Sequence, residues 1–145
     1  MTNFGSLVIM AIICGMAITL QGNFMGLMDK QMGTLESIFI TYGSGGLVIA
    51  LVMLVRGGAN LGRWQSVPWY ALTAGVCGLL IVGTIGYIIP RLGAVTGFTI
   101  IVAAQFMLAA LLDHFGLLGA EVRPLNLARL LGLGMLLLGT WLIVR

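Results

Sequence analysis

The sequence predicts an all-α integral membrane protein with five transmembrane helices, and three observations predict it. First, the 145 residues are 60% hydrophobic and 8% charged, with a mean hydropathy of +1.13, whereas an average soluble domain carries about 25% charged residues. Second, the charges are confined: residues 1–28, 37–55, 64–90, 92–112 and 130–144 contain no Asp, Glu, Lys or Arg. A helix needs ~20 apolar residues to cross ~30 Å of hydrocarbon, so spans are expected near 4–28, 34–55, 67–89, 93–115 and 124–144. Third, Trp64, Trp69, Tyr70, Tyr87 and Trp141 fall near the ends of these spans, as an interfacial aromatic belt does. The runs are too long, and too poor in strict alternation, for barrel strands. The connections are short, leaving no room for a soluble domain, so residues 1–145 read as one five-span domain.

The first span, 4–28, has no basic segment before Phe4 and does not read as a cleavable signal. Glycine makes up 22 of the 145 residues, about twice the average of ~7%. Ala11, Gly15, Thr19, Gly22 and Gly26 share a stripe ~80° wide at ~100° per residue. Small residues let helices approach closely, so this is an expected packing face. Gln21 and Asn23 point about 200° apart; Asn23 continues the small-residue face and is the candidate binding group of the two.

The second span, 34–55, opens on Glu36, which the helix dipole favours there. Ser37, Thr41 and Ser44 form a hydroxyl stripe. Each hydroxyl can bond a carbonyl one turn back in its own helix, or the three can form the polar wall of a substrate path. The third span, 67–89, starts at Ser66 and Pro68 and is expected to stop at Pro90, which cannot continue it. Ala71, Gly75, Gly78 and Gly86 form its packing face. Cys14 and Cys77 lie inside apolar spans without a CxxC motif or a nearby histidine, and read as buried thiols with no metal.

The fourth span, 93–115, places Gln105 almost at the bilayer midplane, where lipid offers a carboxamide no hydrogen-bond partner. Two roles fit: an interhelical hydrogen bond, or a substrate-binding group in a central cavity. Asp113 lies ~12 Å further along, at the edge of the hydrocarbon. It opposes the helix dipole and calls for a cation; Arg129, one turn into the fifth span (124–144), is the expected partner in a structural ion pair. His114 reads as a capping or head-group residue, and Gly116 as the left-handed residue that closes the helix.

The seven basic residues are Lys30, Arg56, Arg63, Arg91, Arg123, Arg129 and Arg145. They are scattered over helix ends, so the net charge of +3 does not make a nucleic-acid groove. No carboxylate occupies a midplane position, which argues against a single central acid exchanging proton for cationic substrate. A lone interfacial histidine, with neither nucleophile nor metal cluster, does not make an enzyme. No cofactor is expected.

"LQGNFMG" (20–26), "IPRLGA" (89–94), "AAQFMLAALLDHFGLLG" (103–119) and "LARLLGLGMLLLG" (127–139) resemble the drug/metabolite transporter superfamily, specifically its small five-span YdcZ-type bacterial inner-membrane family. Gln105 with the Asp-His-Phe-Gly after it is the most specific part. Ala104 departs from the glycine common before that glutamine. The resemblance implies a helical bundle in which two five-span units combine as inverted halves, found in relatives as single genes, gene pairs or ten-span fusions.

The charges are nearly balanced between the two sides. With the N-terminus inside, Arg56, Arg63, Arg123 and Arg129 face the cytoplasm, while Lys30, Arg91 and Arg145 face outward, four against three. So small a bias does not fix orientation. Dual insertion and an antiparallel homodimer are therefore expected, making a ten-helix bundle with itself or with an oppositely oriented paralogue. The expected function is export of a small organic solute by alternating access across a bacterial inner membrane. Gln105, Ser37, Thr41, Ser44 and Asn23 are the candidate binding groups. A non-transporting membrane subunit is the alternative.

Overall fold

Helices make up almost all of the computed structural model, which describes residues 3–58 and 60–145. In chain order they are α1 (Phe4–Met32), α2 (Thr34–Val55), α3 (Ala74–Leu92), α4 (Ala94–Phe115) and α5 (Leu127–Val144). Short 3₁₀ segments at Leu61–Ser66 and Trp69–Thr73 lead into α3, and a third at Leu117–Gly119 comes after α4. Five helices, counting Trp69–Leu92 as one, are long and apolar enough to cross a membrane. There is no strand among the described residues.

Glycine sets two of the breaks. Gly33, at φ 103° and ψ 164°, is the only residue between α1 and α2, and Gly93, at φ 81° and ψ 153°, the only one between α3 and α4. An L side chain is strained at such φ, so a single residue turns the chain only because it is glycine. Gly116 closes α4 in the left-handed conformation at φ 63°.

Four helix ends differ from the sequence reading. α3 begins at Ala74 and not at Ser66 and Pro68, with Trp69–Thr73 forming a 3₁₀ segment first. α1 continues one turn beyond residue 28, because Asp29 finds partners that let its charge sit within a helix. α3 runs through Pro90 to Leu92. Proline removes only the bond its own N–H would give the Gly86 carbonyl, and within a turn of the end few bonds remain to be disturbed. α5 begins at Leu127 and not at Pro124. Asn126 stands in extended conformation, and its side chain accepts a 2.9 Å hydrogen bond from the Arg129 N–H, a better cap than proline offers.

The chain divides into two units, Met1–Arg91 and Leu92–Arg145. In the first, Met25 and Ser37 are fully buried, and Gly22, Gly26, Ile85, Gly86 and Ile89 are buried around them. The Ser37 hydroxyl donates to the Met25 carbonyl at 3.3 Å, tying α2 to α1. Gly86 makes room for this pair. A Cβ there would lie 3.3 Å from Met25 Cε and 3.7 Å from Ser37 Oγ, and one on Gly26 would lie 3.2 Å from Pro90 Cδ. Gly78 faces the Tyr42 hydroxyl, whereas Gly15 and Gly75 meet nothing within 4 Å. The glycine faces thus pack in their Gly22, Gly26, Gly78 and Gly86 parts and stay open at Gly15 and Gly75.

In the second unit α4 and α5 pack against each other. The Arg123 N–H bonds the Asp113 carbonyl at 2.8 Å, and the Leu125 N–H bonds His114 Nδ1 at 3.2 Å. Most large apolar side chains of both units remain exposed, Phe39, Leu54, Leu80 and Met135 among them. In water such a surface would be prohibitive. In lipid it is ordinary.

Candidate functional site

Three arrangements bear on function. The first is a cleft of about 350 Å³ along α1 and α2, lined by Ala17, Leu20, Gln21, Phe24, Met25 and Met28 on one side and Ile40, Thr41 and Ser44 on the other. Its α1 residues 17, 21, 24 and 28 repeat at helical spacing and so form one face. Thr41 donates to the Ser37 carbonyl at 2.8 Å and Ser44 to the Thr41 carbonyl at 3.2 Å. Each hydroxyl gives its hydrogen to its own helix and keeps acceptor capacity. Gln21 makes no side-chain hydrogen bond among the described residues, so its carboxamide is uncommitted. The cleft therefore holds neutral polar groups and no charge.

Two sequence candidates are displaced from that cleft. Ser37 is fully buried, and its hydroxyl is committed to the Met25 carbonyl. Asn23 stands outside the cleft lining and turns Nδ2 back to the Thr19 carbonyl at 2.8 Å. The small-residue stripe of α1 points to Asn23 and away from Gln21. The 17–21–24–28 spacing puts Gln21 on one face with Ala17, Phe24 and Met28, and the fold turns that face to the cleft.

The second arrangement is Gln105, the twelfth of the 22 residues of α4, roughly 15 Å from either end at ~1.5 Å per residue. Its side chain is exposed and makes no hydrogen bond among the described residues.

The third is a cleft of about 500 Å³ between α4 and α5, whose lining includes Phe106, Asp113, Arg129 and Leu136. The ion pair expected between Asp113 and Arg129 is not formed: the salt bridges among the described residues, at N···O distances up to 4.0 Å, are Arg91–Asp29 and Arg123–Glu121. Arg129 Nη1 donates instead to the Arg123 carbonyl at 3.1 Å. The later start of α5 puts Arg129 in its first turn, with the Arg123 carbonyl of the extended connection in reach.

Residues 6–142 match the protein-family model described as "Putative inner membrane exporter, YdcZ". The chain belongs to this family. No curated protein and no solved structure matched it. As a YdcZ-family chain with five membrane-crossing helices, it is a multi-pass protein of the inner membrane. The YdcZ description is that of a membrane exporter and not of an enzyme class.

The YdcZ-family chain also carries an ion-pair cluster that its sequence does not announce. Arg91 Nη1 lies 2.9 Å from Asp29 Oδ2 and also donates to the Tyr87 carbonyl at 2.6 Å. Its guanidinium stands 3.6 Å above the Tyr87 ring, a cation–π geometry. The Thr34 hydroxyl donates to the other Asp29 oxygen. The Asp29 side chain is only 5% exposed and Arg91 48%, so a buried carboxylate, a hydroxyl and a half-exposed guanidinium join the ends of α1, α2 and α3. In the sequence both are loop charges, 62 residues apart.

Asp29→Asn is therefore expected to lower the melting temperature of the purified protein clearly more than Glu121→Gln does. Glu121 and Arg123 are exposed on both sides, at 83% and 59%, and such pairs contribute little. Equal shifts for the two variants would show that the Asp29 cluster is not a clasp.

Proposed function

We propose that the chain is half of an exporter, two copies of which insert in opposite orientations and move small organic solutes by alternating access. Gln105 is the observation that carries this reading. An exposed carboxamide at mid-span costs several kcal/mol when it faces acyl chains, so it requires cover that α4 itself does not give. A second copy turned upside down supplies the same carboxamide at the same depth. Membership of the family described as a membrane exporter gives that contact a use. The nearly balanced charges, four against three, are compatible with insertion both ways.

The α1–α2 cleft supports a substrate class. Its polar groups are the Gln21 carboxamide and the Thr41 and Ser44 hydroxyls. Such groups hydrogen-bond neutral solutes and leave an ion uncompensated. The cleft favours uncharged organic solutes with both apolar and hydrogen-bonding parts.

Purified protein in liposomes, loaded with matched neutral, zwitterionic and cationic solutes, tests this directly. Neutral solutes are expected to move fastest, with Gln21→Leu and Thr41→Val each slowing them. A folded dimer that moves no class of solute would end the proposal and leave the chain as a non-transporting membrane subunit.

A further inference from the structure

The cleft between α4 and α5 has a chemistry that export does not use. Asp113 and Arg129 stand on its wall without an ion pair between them. The Asp113 carboxylate accepts no side-chain hydrogen bond among the described residues, and Arg129 has one of its five N–H donors on the Arg123 carbonyl. Neighbouring groups satisfy them only in part. The Arg123 guanidinium acts on Asp113 through space but makes its hydrogen bond to Glu121, at 3.0 Å, and His114 Nδ1 accepts the Leu125 N–H. Two opposite charges that share a cleft and stay apart match a ligand head group carrying both signs.

The rest of the cleft specifies the body attached to that head group. Asp113 is in the last turn of α4 and Arg129 in the first turn of α5, so both charges stand at one edge of the membrane, at head-group level. From there the lining becomes apolar through Leu133 to Phe106 and Leu136. Phe106 is seven residues from Asp113, roughly 10 Å along the helix and towards the midplane. A charged mouth with an apolar run of that length, parallel to the membrane normal, has the layout of a lipid.

We propose that this cleft binds a zwitterionic phospholipid with a primary ammonium head. Asp113 receives the ammonium, Arg129 the phosphate, and an acyl chain lies along Leu133, Phe106 and Leu136. A free amino acid would satisfy the charges but leave most of the apolar run empty. The site lies within one copy and stands whether or not the protein exports solutes.

Native mass spectrometry of the full-length protein, taken from bilayers with equal amounts of phosphatidylethanolamine and phosphatidylglycerol of identical chains, tests it. Wild type is expected to retain phosphatidylethanolamine over phosphatidylglycerol by roughly threefold, the scale of a partly exposed charge pair. Asp113→Asn should bring the ratio to about one, and Arg129→Gln should lower retention of both lipids. On the wild-type protein, phosphatidylethanolamine and not phosphatidylglycerol should slow modification of Asp113 by a hydrophobic carbodiimide, a reading independent of how the variants fold. Equal retention by wild type, an unchanged ratio in Asp113→Asn, or protection by free leucine in place of the lipid would each overturn the proposal.

Discussion

Gln105→Leu is expected to cut solute efflux roughly five- to thirtyfold while five-span insertion and protein level stay near wild type. Leucine nearly matches glutamine in size, so the substitution removes polarity more than volume. If Gln105 faced lipid, leucine would be the better residue there, and the variant would gain stability and keep its activity. If a second copy covers the carboxamide, the variant loses an interhelical hydrogen bond of about 1–2 kcal/mol, and about 1.4 kcal/mol is already tenfold. Gln105→Asn, which keeps the amide on a shorter stem, should retain part of the activity. Efflux rates alongside the dimer fraction in mild detergent distinguish the two cases.

Gly86→Leu is expected to destabilise the first unit strongly. A Cβ alone would lie 3.3 Å from Met25 Cε and 3.5 Å from Met25 Cβ, and Met25 and Ser37 are 1% and 0% exposed. Three further carbons have no space, so α3 must move away or Met25 must turn. Overpacking of this kind costs ~1–3 kcal/mol, and loss of the Ser37 hydrogen bond adds about 1 kcal/mol. Gly75→Leu, where nothing lies within 4 Å, is the control and should melt close to wild type. Adding Met25→Ala to Gly86→Leu should recover part of the loss, a coupling between neighbours that independent sites do not show. Thermal melts of the four proteins check it.

The five spans are legible in the sequence because lipid imposes the simplest of patterns, long runs without charge, and α2 occurs over the residues that pattern marks. The ends are legible where one residue's backbone decides them, as at Gly116. They are hidden where a distant partner decides them. Asp29 belongs to a helix because Arg91 and Thr34 reach it, and no local pattern reports a contact across 62 residues.

The same reason separates the candidate site residues. Thr41 and Ser44 line a cleft, but the third member of their stripe, Ser37, lies one turn nearer the α1–α2 turn, where the two helices close over it. Gln21 and Asn23 can be ordered only by knowing which face of α1 meets α2. The Asp113–Arg129 pair is the natural inference from a short hairpin. The real connection is extended from Ala120 and places the Arg123 carbonyl between them in sequence, where it takes the guanidinium.

A second, inverted copy over Gln105 makes a geometric demand on α4. Phe98 and Leu112 each lie seven residues from Gln105, within ~20° of its face at ~100° per residue and on opposite sides of the midplane. In membranes containing two tagged, otherwise cysteine-free chains, one with Phe98→Cys and the other with Leu112→Cys, oxidation should join the two different chains. Disulfides only between identical chains, 98 to 98 and 112 to 112, would mean that the copies stand the same way up. No disulfide at either pair, or at Gln105→Cys itself, would mean that no second copy covers the glutamine.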